Sequence, residues 1–93
     1  MYRIVVSCHG VPESAGAEAA DDITNEFAQH RTWHSNALCT WDGSKLTLQA
    51  YNDFDKEGLA LLDEFSDSIS AYIGELFDGS VMVDSVTVVA DAA

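Results

Sequence analysis

Apolar positions recur with two different periods along this chain, and the switches between those periods predict six elements. From Tyr2 to His9 the run Tyr-Arg-Ile-Val-Val-Ser-Cys-His is rich in strand formers, and Gly10 and Pro12 then break the ladder. Between Ser14 and about His30, Ala19, Ala20, Ile23 and Phe27 fall at helical spacing. Ser14 is placed to cap that helix, with Glu13 and Glu18 near the positive end of its dipole. Arg31 to Asp42 reads as a second strand and Ser44 to Asn52 as its return, joined by Asp42-Gly43 as a two-residue hairpin turn. A second helix, capped by Asp53 or Asp55, carries Leu59, Leu62, Phe65, Ile69, Tyr72, Ile73 and Leu76 on one stripe and stops at Asp78-Gly79. Val81 to Ala90 completes the set as a last strand, followed by the tail 91–93.

The order strand, helix, strand, strand, helix, strand resembles the ferredoxin-like fold over nearly the whole chain. That resemblance implies an α+β βαββαβ sandwich: a four-stranded antiparallel sheet with two helices on one face. It is a resemblance to a superfold, which hosts many unrelated functions, so it implies no activity. A chain of 93 residues, 47% apolar and 22% charged, is expected to fold as one domain, 1–93, around an ordinary core.

The expected hairpin sets side-chain parity. With Asp42 and Gly43 at the tip, Trp41 faces Ser44, Cys39 faces Leu46, Ala37 faces Leu48 and Ser35 faces Ala50, all toward the helices. The opposite face then shows Thr40 with Lys45, Leu38 with Thr47, Asn36 with Gln49 and His34 with Tyr51. In the first strand Tyr2, Ile4, Val6 and Cys8 point inward while Arg3, Val5, Ser7 and His9 point to the open face. Arg3, His34, Leu38, Gln49 and Tyr51 are therefore the candidate binding residues of an uncovered sheet, with Val5 and Val89 beside them. An exposed sheet carrying apolar side chains is also a surface through which two copies could form a homodimer; its Thr and Gln content equally suits a solvated face.

Charge narrows the partners. Sixteen Asp and Glu against four Lys and Arg give a formal net charge of −12, which argues against nucleic acid and against an anionic membrane. Solubility through self-repulsion, adaptation to high internal salt, and recognition of a basic protein all account for such acidity. No apolar run reaches the ~18 residues a membrane-spanning helix needs, and the first strand is too short and too weakly basic upstream for a signal peptide. A cytoplasmic location is the expectation.

Candidate chemistry is sparse. Asp53, Asp55 and Glu57 alternate, Gly58 follows and Glu64 stands at the twelfth position, which approaches a calcium-loop pattern. The strand before it and the helical stripe that starts at Leu59 favour an acidic helix cap instead. His9, His30 and His34 with Cys8 and Cys39 are scattered by the register, so no transition-metal site is expected, and the two thiols stand about two strand spacings apart, roughly 10 Å. Ser7-Cys8-His9 alternates across the sheet, and no nucleophile elbow, Walker loop or dinucleotide fingerprint is present. Trp33 and Trp41 are expected to fill the core. The sequence names no cofactor and no catalytic residue. It is read first as a small acidic interaction module that binds or inhibits a basic protein. The alternative is a ligand-binding or enzymatic dimer with its site on the open sheet.

Overall fold

A computed structural model describes residues 1–74 and 79–89. Its elements are β1 (Tyr2–His9), α1 (Glu13–His30), β2 (Ser35–Trp41), β3 (Lys45–Asn52), α2 (Leu59–Tyr72) and β4 (Ser80–Val88). The four strands form one sheet in the order β2-β3-β1-β4, with all neighbours antiparallel. This is an α+β fold, and its strand order is compatible with a ferredoxin-like sandwich. The positions of Leu76, Asp78, Ala90 and the tail 91–93 lie outside the described residues.

Both helices bury their apolar sides against one face of the sheet. Ile4, Val6, Cys8, Cys39, Leu46, Leu48 and Ala50 from the strands meet Ala19, Ala20, Ile23 and Phe27 of α1 and Leu61, Phe65 and Ile69 of α2. The buried line of α2 runs through Leu61, Phe65, Ile69 and Ile73, a clean four-residue repeat. Leu59 and Tyr72, expected on that stripe, are instead exposed at 54% and 43%. The helix begins at Leu59 rather than near Asp55, which turns Leu61 inward. Gly58, at φ 78, ends the loop before it in a left-handed conformation, and a Cβ there would meet Ile4, Val83 and Val86.

α1 starts at Glu13 with Pro12 at the N-cap, so Ser14 lies inside the helix and does not cap it. Its Gly16 lets the ring of Trp41 lie flat on the helix: a Cβ at that position would fall 2.1 Å from the ring. Thr24, two turns further on, accepts the backbone N–H of Cys39 at 2.9 Å, so α1 is hydrogen-bonded to the outer edge of β2.

The register corrects the hairpin. Trp41 pairs with Leu46, Thr40 with Thr47, Cys39 with Leu48 and Leu38 with Gln49, two residues removed from the expected pairing. The cause is the Asp42 carboxylate, whose Oδ1 accepts the backbone N–H groups of Ser44 at 2.9 Å and Lys45 at 2.8 Å. Gly43 and Ser44, not Asp42 and Gly43, therefore make the reversal. A shift of two preserves parity, so Cys39 and Leu46 still face the helices and Leu38 the open side.

A second irregularity does not preserve it. Ser35 pairs with Tyr51 and Leu38 with Gln49, so Asn36 and Ala37 together stand opposite the single residue Ala50. Asn36 takes φ 51, a left-handed value that Asn tolerates better than most side chains, and the strand bulges there. Upstream of the bulge Ser35 lies opposite Tyr51, and residues 31–34, expected as strand, instead form a turn in which the His34 N–H donates to the Arg31 carbonyl at 3.1 Å. His34 turns inward and is buried at 3% exposure, while Trp33 turns outward at 52%. Both expectations for this pair are thereby reversed. β4 carries a comparable bulge, since Val5 pairs with Ser85 and Val6 with Val83, leaving Asp84 as the extra residue.

Candidate functional site

Four of the five open-face candidates stand where expected. Arg3 of β1 lies opposite Tyr51 of β3 on one side and Thr87 of β4 on the other. Val5, two residues along, lies opposite Gln49, which in turn faces Leu38 on β2. These side chains interact along the strands as well as across them: Arg3 Nη2 donates to Gln49 Oε1 at 2.9 Å, and Gln49 Nε2 donates to the Tyr51 hydroxyl at 3.3 Å. Leu38 is 52% exposed at the edge of this group. At the far end of the same face Ser7 donates to Asp84 at 2.9 Å, and His9 stands opposite Lys45.

His34, the fifth candidate, belongs to a different place. It lies beneath the sheet among the rings of Phe27, Phe54 and Trp33, at centroid distances of 5.8, 5.8 and 6.1 Å. Two polar neighbours complete its surroundings. Asn52 Oδ1 accepts the backbone N–H groups of Phe54 at 3.2 Å and Asp55 at 2.8 Å, which orients that amide. Its Nδ2 therefore donates to His34 Nδ1 at 3.0 Å. With Nδ1 accepting, the ring proton sits on Nε2 and is donated to Glu64 of α2.

Glu64 collects three donors from one short segment. Besides His34, its carboxylate accepts Arg31 Nη1 at 3.1 Å and Trp33 Nε1 at 3.0 Å. Burial pushes this carboxyl up, but the hydrogen bonds from His34, Trp33 and Arg31 outweigh that effect and hold it below its ordinary value. Arg31 also binds Glu26 at 3.3 Å and lies over the Phe27 ring, 5.5 Å from its centroid. The end of α1, the loop after it, α2 and the β3–α2 loop are thus tied together by one polar cluster. A cleft of about 430 Å³ opens beside it between Phe27, Thr32 and Asn36, with His34 at its wall. Both ring nitrogens of His34 are already engaged, so the cleft offers no free imidazole.

The calcium-loop residues do not converge. Asp55 is buried and spends its two oxygens on the backbone N–H groups of Ala60 at 3.0 Å and Leu61 at 2.9 Å, a cap for the first turn of α2. Glu64 faces His34, and Asp53 and Glu57 are exposed. No group of three or more metal-binding side chains comes together among the described residues. The two thiols are free and buried; burial pushes Cys8 up to about 11, and burial together with the nearby Cys8 pushes Cys39 up to about 12. Neither is poised as a nucleophile at neutral pH.

The helix layer has a different character from the open face. α1 carries Glu13, Glu18, Asp21, Asp22 and Glu26, and α2 carries Asp63, Glu64 and Asp67, with no Lys or Arg in either helix. Glu26 and Glu64 are paired with Arg31, and the remaining six have no ion-pair partner among the described residues. No helix among the described residues is long and apolar enough to cross a membrane. No protein-family model matches this chain, and no curated protein matches it either.

Proposed function

We propose that this protein is an interaction module whose helix layer docks a basic protein, binding or inhibiting it. The observation that carries this reading is the charge of the two helices: eight carboxylates, no Lys and no Arg. Six of those carboxylates have no ion-pair partner among the described residues, so a partner that supplies Lys or Arg gains contacts without breaking an existing pair. Complementary charge of this kind steers encounter and rejects acidic competitors. The engaged imidazole of His34 and the buried thiols fit binding better than catalysis.

The test is a pull-down from lysate of the source cells at low and moderate salt, with the wild-type chain and a Glu18→Gln/Asp21→Asn/Asp63→Asn/Asp67→Asn variant. A basic protein should be retained by the wild type at low salt, released at moderate salt and missed by the neutralised variant. Retention of the same protein by both chains, or of no basic protein by either, would overturn the reading.

A further inference from the structure

The open sheet face presents a group of side chains rich in donors. A guanidinium has no acceptor, so the 2.9 Å contact from Arg3 Nη2 requires Gln49 to present its carbonyl there. The Gln49 amide nitrogen is then the group 3.3 Å from the Tyr51 hydroxyl, and it too can only donate. Tyr51 accepts that bond, so its own proton is directed elsewhere. The Gln49 carbonyl is turned to Arg3, and the donors this group has left over are the rest of the Arg3 fork, the second amide hydrogen of Gln49 and the Tyr51 O–H. Thr87 adds a hydroxyl opposite Arg3.

No ion pair links Arg3 to a carboxylate among the described residues, although the chain holds sixteen of them. Asp84, at the β4 bulge beside Val5 and Val6, has its carboxylate bonded to the Ser7 hydroxyl, on the side away from Arg3. The helical carboxylates lie on the other side of the sheet, where salt screens them at about 8 to 10 Å. One row over, Val5 and Leu38 flank Gln49 with apolar surface. The two-residue step between the rows is about 7 Å, the length of an aryl carboxylate.

We propose that Arg3, Gln49 and Tyr51 form a binding site for a small organic carboxylate, whose oxygens rest on the Arg3 fork and Tyr51 while its apolar body lies over Val5 and Leu38. The site is on the opposite face from the helical docking layer and stands independently of it. A carboxylate suits it because its planar pair of oxygens matches the fork of a guanidinium.

The test uses benzoate as the probe, titrated into the millimolar range against the full chain and followed by amide and Arg side-chain NMR shifts. Shifts should concentrate at Arg3, Gln49, Tyr51 and Thr87. Arg3→Gln should weaken binding by about tenfold or more, and Tyr51→Phe by a few fold, as expected for lost hydrogen bonds to a charged ligand. Asp53→Asn, which removes an exposed acid just beyond the end of β3, should leave binding unchanged or tighten it. The uncharged benzamide should not bind, and inorganic phosphate should bind more weakly than benzoate. Shifts outside the sheet face, equal binding by benzamide or by phosphate, or an Arg3→Gln chain that is folded by circular dichroism and binds benzoate as well as the wild type would each overturn the proposal.

Discussion

Replacing Glu64 by Ala removes the acceptor on which Arg31, Trp33 and His34 converge, and the three donors lose different amounts. Trp33 is half exposed and exchanges its bond for water. The Arg31 pair is partly exposed, and such pairs contribute about 0–1 kcal/mol. The His34 side chain is fully buried, so its Nε2–H is left without a partner at a cost of about 1–3 kcal/mol. The better helix propensity of Ala returns a few tenths of a kcal/mol. The expected loss is therefore about 1–3.5 kcal/mol, or about 5 to 25 °C in Tm for a domain of this size. Asp63→Ala, one residue earlier and exposed, should stay within about 0.5 kcal/mol of wild type. Urea unfolding followed by Trp fluorescence and circular dichroism compares them. The folded-state pKa of Glu64 is depressed, so its contribution is complete above the ordinary glutamate value of 4.5 and fades as pH falls through the lower folded value. The gap between wild type and Glu64→Ala should therefore narrow on acidification. Equal stability of Glu64→Ala and Asp63→Ala at neutral pH would refute the assignment of His34 as a buried donor that depends on Glu64.

Asp55→Ala frees two backbone donors at the start of α2 and should cost about 1–2 kcal/mol in the same unfolding assay, whereas calcium should leave the wild-type midpoint unchanged. Asn36→Gly should be tolerated, while Asn36→Val, which cannot easily hold φ 51, should lose about 1–2 kcal/mol and change the Trp fluorescence of the folded state. Cys8 and Cys39, held up at about 11 and about 12, should resist alkylation at neutral pH in the native chain and react fully in urea.

The periods of the apolar residues were enough to read the element order and the sandwich, because burial on one side of each helix and strand imposes those periods directly. Parity in β1, in β3 and in residues 38–41 was equally legible: an error of two in the hairpin leaves every side chain on its own face. The exchange of His34 and Trp33 was not, because it depends on a single inserted residue and on a turn over 31–34 where a strand is expected. Asn36 was the available signal, a poor strand former able to adopt a left-handed φ within a predicted strand. The convergence of residues 31–34 on Glu64 brings together positions about 30 apart through packing of α1 against α2, which no local pattern encodes. Asn52 looked like a strand terminus, and its role in orienting His34 required the loop amides of Phe54 and Asp55 to be placed first.

The bond between Thr24 and the backbone of Cys39 bears on self-assembly. A sheet that grows by strand addition into a filament needs two free borders, one to receive and one to offer. Here the β2 border is tied to a helix at Cys39 by the Thr24 hydroxyl, and among the described residues β4 is the border with no such bond, the side on which another chain could add. Two copies meeting there through a symmetric contact would exhaust each other's free border, so association by that route stops at a pair and cannot propagate.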